Sequence, residues 1–247
     1  MEQKINQIVK WLQEKVKETG AKGLLVGLSG GLDSAVVTNL IKRACPEGSL
    51  AVVMPIQSNP DDMTDAEQTV IQSGIHSIEV DLTHSHDVLY QTITDQLKQN
   101  GTWNEQQNRI ADANLRARIR MSTLYTIATH HQYLVVGTDN AAEWYTGYFT
   151  KYGDGAVDIQ PIIDLTKQEV KDMAIHLNVP SSVIEKKPSA DLWEGQTDEE
   201  ELGTTYKQID AYLLGKEVPL QDQITIENLH KRTEHKRKIA PQMRLTK

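Results

Sequence analysis

A chain of 247 residues, 38% apolar and 24% charged, has the material for one sizeable α/β domain and is too apolar to stay disordered. Its net charge of −8 excludes broad electrostatic docking on nucleic acid or an anionic membrane, so an anionic ligand needs a local basic pocket. The single cysteine, Cys45, excludes an intrachain disulfide, a C-x-x-C redox pair and a cysteine zinc site; with no apolar run of signal-peptide or bilayer-spanning length, a cytoplasmic protein is expected.

Ile5, Ile8, Val9, Leu12 and Val16 recur at helical spacing and Gly20 follows, which predicts an amphipathic packing helix. Gly23 to Leu28 is a short apolar run suited to a strand buried on both faces. SGGLDS then leads into AVVTNLIKRA, which reads as a helix. The alternation recurs. Ser49 to Ile56 reads as a second strand, followed by a helix with Asn59 as its cap. His76 to Leu82 is a third strand, helical segments run to about His130, and Tyr133 to Thr138 is a fourth strand.

Asp158 to Ile162 predicts a fifth, edge strand, where Pro161 is tolerable. Thr166-Lys167-Gln168-Glu169 fits a capping box, and Thr197-Asp198-Glu199-Glu200 is a second candidate. Strands alternating with helices predict an α/β fold, a Rossmann-like parallel sheet of about five strands with helices on both faces. One domain over residues 1–247 is expected: a nucleotide-binding core, 1–180, and a loop-rich, helical C-terminal extension, 181–247.

In an open parallel sheet ligands bind beyond the carboxyl ends of the strands, where Gly27, Leu28, Ser29, Gly30, Gly31, Leu32, Asp33 and Ser34 lie. Gly30 and Gly31 allow a sharp turn close to an anion, and the start of the following helix favours negative charge. The loop has no Gly-Lys-Ser/Thr of a Walker motif and no G-x-G-x-x-G. An aspartate beside polyphosphate is repelled unless a cation lies between them, so Asp33 is expected to hold Mg²⁺. The bland reading of the same spacing is a glycine turn in which Asp33 is an ordinary helix cap.

SGGLDS resembles the S-G-G-x-D-S signature of the ATP pyrophosphatases, which cleave ATP between the α and β phosphates. NLRARIRM, GTDNAAEWYTGYFTKYGDGAVDIQPI, LTKQEV, KPSADLWEGQTDEEELG and the terminal EHKR are similar, in the same order, to NAD synthetases. The resemblance implies that ATP, as co-substrate, adenylates the nicotinate carboxylate of deamido-NAD with release of pyrophosphate. Ammonia then displaces AMP to give NAD. With only a short helix before the phosphate loop, the ammonia-dependent form without a glutaminase domain is implied, and so is a homodimer with the dinucleotide site at the subunit interface.

By the same resemblance Asp33 and Glu143 are the metal ligands, and Thr138, Lys167 and Ser189 join the phosphate loop as ATP contacts. The family usually has threonine where Ser189 stands; serine keeps the hydroxyl. Arg118, Lys151, Asp158, His235 and Lys236 match deamido-NAD contacts. Asp154 is the candidate for taking a proton from ammonium, since only neutral ammonia attacks; ordering a glycine loop is the simpler role for it. Alternate residues on a helix diverge by about 200°, so Arg116, Arg118 and Arg120 cannot all reach one ligand. Asp139 or Asn140 can simply cap a helix. The rival readings are another ATP pyrophosphatase, such as an amidotransferase or a tRNA-modifying enzyme, and a nucleotide-binding regulator without turnover.

Overall fold

Leu24, Leu25 and Val26 are fully buried in the strand that organises the molecule. The structure, a computed structural model, describes residues 1–189 and 197–244. Four parallel strands form one sheet in the order β3-β2-β1-β4: β1 Gly23–Gly27, β2 Ser49–Val53, β3 His76–Glu79 and β4 Tyr133–Val136. Leu25 pairs with Leu50 on one side and Val135 on the other.

Side chains alternate between the faces of a strand, so β1 feeds two cores. Leu24 and Val26 pack with α1 (Glu2–Thr19), α2 (Leu32–Ala44) and α3 (Pro60–Ser73), together with α7 (Lys167–His176) and α8 (Ser181–Glu185). Leu25 packs on the other face with Leu50, Val52, Ala128 and Val135, covered by α5 (Asn108–His131), against which α4 (Thr83–Gln99) lies. A third apolar cluster joins Ala142 of α6 (Ala141–Thr146) to three C-terminal helices. These are α9 (Asp198–Leu202), α10 (Tyr206–Leu213) and α11 (Leu220–Arg232), and α12 (Glu234–Arg237) follows.

Local signals account for most boundaries. Gly20 ends α1 at φ 71°, and Asn59 Oδ1 accepts the Asp61 N–H at 3.0 Å to start α3, with Pro60 in its first turn. The expected Thr166 capping box is present on α7. The second expected box is not: α9 starts after Thr197, but the Thr197 side chain makes no capping hydrogen bond. Its acids face other partners. Asp198 receives the Tyr148 and Tyr206 hydroxyls, and Glu199 receives the Tyr206 N–H.

Among the described residues the sheet has four strands rather than about five. The segment around Asp158 makes a single parallel bridge, Val136 with Ile159. The Val135 N–H is taken by the Asp158 carboxylate, Oδ2 at 2.8 Å, and Pro161 has no N–H to extend a ladder.

The order places β2 on one side of β1 and β4 on the other. The chain therefore reverses direction across the sheet between β1 and β4, the topological switch point where α/β sheets open a crevice.

Candidate active site

The crevice holds a cavity of about 610 Å³. Gly27, Leu28, Ser29, Gly31, Leu32, Asp33 and Ser34 line one wall. At Gly30 the backbone enters the left-handed region, φ 82°, and a Cβ there would lie 2.2 Å from the Asp62 carbonyl oxygen. Only glycine fits that position. The turn braces itself: Ser34 Oγ donates to Gly31 O at 2.9 Å, Gly31 N–H to Ser29 Oγ at 3.2 Å, and the two serine hydroxyls lie 3.1 Å apart. α2 starts at Leu32, so the first-turn N–H groups of Leu32, Asp33 and Ser34 have no intrahelical acceptor and form an anion-favouring end.

Asp33, in the first turn of α2 beyond β1, and Glu143, in the first turn of α6 beyond β4, converge on Lys167 from the first turn of α7. Lys167 Nζ donates to Asp33 Oδ2 at 2.5 Å and Glu143 Oε1 at 3.3 Å. All three side chains are 12–15% exposed. Asn140 connects the two acids. Its Nδ2 donates to Asp33 Oδ1 at 2.9 Å, while Oδ1 accepts the Ala142 and Glu143 N–H groups as the cap of α6. Glu143 Oε2 completes a capping box on Asn140 N–H, which fixes the carboxylate's rotamer. The sequence reading left Asp139 and Asn140 as alternative caps; the cap is Asn140.

Burial opposes charge on Lys167, but Asp33 and Glu143 more than offset it and raise its pKa above the ordinary lysine value. Burial pushes Glu143 up to about 7 against the opposing pull of Lys167. The Tyr206 hydroxyl lies 3.1 Å from Glu143 Oε1 and 2.9 Å from Asp198 Oδ2.

Asp139 sits at the same strand end, 5% exposed, and its buried Oδ2 has no hydrogen-bond partner. Burial, then the charges of Asp154, Glu143 and Asp33, raise its pKa well above the carboxylate range. Asp154 also lines the cavity and accepts the Thr150 N–H at 2.9 Å. The protein packed around it raises its pKa, although its exposed side chain opens to water that screens part of the effect.

Thr138, Ser189 and Lys236 line the cavity as well. Lys236 Nζ is committed to the carbonyls of Gly147 and Phe149 at 2.7 and 2.6 Å, and so holds the loop after α6. Four of the expected dinucleotide residues lie off the cavity wall. Arg118 donates to the Lys151 carbonyl, and Lys151 Nζ donates to the His235 carbonyl at 2.6 Å, making one outer chain. Asp158 is engaged by Val135 N–H and the Tyr125 hydroxyl. Arg116 and Arg120, as their helical spacing from Arg118 requires, point elsewhere: they donate to Ile56 O at 3.2 Å and Met54 O at 3.0 Å and clamp the loop after β2.

Part of the quoted segment KPSADLWEGQTDEEELG lies outside the described residues. Tyr206, Asp198 and Asp139 escaped the sequence reading as site residues. Asp139 carried a signal, its place beside Thr138 at a strand end, and Asp198 stands within a segment quoted for the resemblance; Tyr206 carried none.

Among the described residues no cluster of three or more His, Cys, Asp or Glu side chains is arranged to hold a metal. The two carboxylates still fit a hard cation, because one ammonium between two acids leaves the cluster net negative, and phosphate oxygens and water suit the remaining positions.

A family model described as NAD synthase matches residues 4–240. An NH(3)-dependent NAD(+) synthetase from Alkaliphilus oremlandii (strain OhILAs) is 54% identical over 241 residues, covering 98% of this chain and 96% of that one. Among solved structures, an NMN synthetase from Francisella tularensis has a TM-score of 0.90 at 36% identity, covering 99% and 98% of the two chains. An NH3-dependent NAD synthetase from Campylobacter jejuni subsp. jejuni has a TM-score of 0.77 at 30% identity, covering 98% of each. With its phosphate loop, its paired acids and its full-length match to that model, the chain belongs to the NAD synthase family.

Proposed function

We propose that this chain is an ammonia-dependent NAD synthetase that acts in the cytoplasm as a homodimer. The observation that carries the reading is the convergence of Asp33, Glu143 and Lys167 beside the phosphate loop at the β1–β4 switch point. A polyphosphate needs the first-turn N–H groups of α2 and a cation, and this site offers both.

The nicotinate carboxylate of deamido-NAD attacks the α-phosphorus of ATP, and the α–β bond breaks with pyrophosphate leaving. The phosphate loop binds the departing β and γ phosphates, and Lys167 carries positive charge to them. Asp33 and Glu143 would hold Mg²⁺, which supplies charge neutralisation to the phosphates when bound. Thr138 and Ser189, which also line the cavity, offer hydroxyls to ATP. Ammonia then attacks the acyl carbon and AMP departs. Asp154 takes the proton that ammonium must lose, a role its raised pKa suits.

Arg118, Lys151, His235 and Asp158 lie outside the cavity wall, and Lys236 is the deamido-NAD candidate within it. That placement supports a dinucleotide site completed by a second copy. On α4, Leu89, Ile93 and Leu97 recur every fourth residue and are exposed, with Val88 beside them and Ile110 on α5 also exposed. This stripe is the face on which a second copy would pack. No helix of the described residues is long and apolar enough to cross a membrane.

The likeness to an NMN synthetase favours a second reading, amidation of the nicotinate mononucleotide. An assay for amidated product, AMP and pyrophosphate, omitting each substrate in turn and offering dinucleotide or mononucleotide, separates the two. Equal consumption of ATP without ammonium, or no product from either acid, overturns both.

A further inference from the structure

We propose that Tyr206 is a positioning residue that keeps the Glu143 carboxylate and the Lys167 ammonium aimed at the triphosphate. The inference rests on the reading of Glu143 as a metal ligand and goes beyond it to the residue behind that ligand. Tyr206 does not line the cavity; it is 5% exposed and buried among Ala142, Leu202, Ile209 and Ile226. It therefore acts on substrate only through others.

Both halves of its side chain are used. The hydroxyl contacts Glu143 Oε1 at 3.1 Å, and the Lys167 Nζ lies over the ring, 4.6 Å from its centroid. Oε2 of Glu143 is already fixed by Asn140 N–H, so Oε1 is the oxygen with freedom to turn. Its other partner is Lys167, which is shared with Asp33 and is drawn toward any phosphate that enters. Once the ammonium shifts, the phenol is what holds Oε1 in place. The ring offers the ammonium a second attractive surface while it moves.

The phenol is itself held rigidly. Its backbone N–H donates to Glu199 Oε1 at 2.9 Å, Thr205 caps α10, and Asp198 Oδ2 lies 2.9 Å from the hydroxyl. Support of this kind, one bond behind a ligating carboxylate, typically changes metal affinity by about 10–100-fold.

The test is a Mn²⁺ titration by electron paramagnetic resonance on the full chain with α,β-methylene-ATP, a readout that needs no turnover. Tyr206→Phe keeps the ring and loses the hydroxyl. It should weaken Mn²⁺ binding about tenfold. In turnover assays it should raise the Mg²⁺ activation constant similarly, with the KM for deamido-NAD unchanged. Tyr206→Leu should lose ATP affinity as well, and the Phe variant should restore that part alone. If the Phe variant does not fold, Tyr206→Met must show the same loss of Mn²⁺ binding. Unchanged Mn²⁺ affinity in a folded variant lacking the hydroxyl, or equal rises in every KM, overturns the proposal. Failure of the wild-type protein to amidate either acid overturns the parent reading instead, and the Mn²⁺ titration still decides this one.

Discussion

Lys167 stands between Asp33 and Glu143, with Nζ at 2.5 Å from one carboxylate and 3.3 Å from the other. A single ammonium compensates two acids that come from opposite sides of the sheet's switch point. Removing it leaves both uncompensated in a site where each is about one-seventh exposed. Lys167→Met should therefore lower the stability of the free protein by about 3–5 kcal/mol, the cost typical of breaking a buried pair. Urea unfolding reads this directly. Mg²⁺ with an ATP analogue should recover much of the loss, because the added cation meets the same carboxylates. An unaltered unfolding midpoint would show that Lys167 does not compensate the pair.

Asp33→Asn should sharply slow pyrophosphate release. The amide keeps the shape and the contact with Asn140 but loses the charge that a divalent cation needs. A loss of about 10²–10³-fold in kcat is expected from removal of one electrostatic element. Near-normal rates at low Mg²⁺ would contradict the assignment.

Gly30→Ala probes the turn independently of charge. The new methyl would meet the Asp62 carbonyl at 2.2 Å in a backbone region that disfavours side chains. Strain of about 1–3 kcal/mol is expected, together with weaker ATP binding as the loop opens. Calorimetric ATP titration and a thermal scan measure the two effects. A variant with unchanged ATP affinity would show that the turn does not shape the phosphate site.

What could be read from the sequence was local. SGGLDS, the Asn59 and Thr166 caps and the four strands depend on neighbours within a few residues, so spacing exposes them. The site depends on separations of 134 residues for Lys167 to Asp33 and 63 for Tyr206 to Glu143, which no local pattern encodes. Family resemblance nominated Lys167 and Glu143, while Tyr206 carried no signal at all. The overcounted strand shows the opposite failure. VDIQPI has the period of a strand, but periodicity does not reveal that the Asp158 side chain fills the Val135 N–H.

The α4 stripe yields a prediction about assembly. Ile93→Glu places a charge in the centre of Leu89, Ile93 and Leu97, which are 38–43% exposed in the single chain. If a second copy covers them, the variant should sediment as a monomer and lose affinity for deamido-NAD while binding ATP normally. A dimer that survives the substitution would place the interface elsewhere.

Asp139 ties stability to pH. Its folded-state pKa is raised, first by burial and then by Asp154, so the folded protein keeps a proton that the unfolded chain releases above about pH 4. The stability this proton contributes is present below the unfolded pKa and is lost as the pH rises toward the folded value. Asp139→Asn does not titrate, and its advantage over the wild type should grow as the pH is raised from about 4 toward neutrality. While the unfolded chain is ionised and the folded one is not, the difference should rise by up to about 1.4 kcal/mol per pH unit. Thermal midpoints of both proteins across that range test the sign. A constant difference would mean that Asp139 is already paired, and a shrinking one would mean that its pKa is lowered rather than raised.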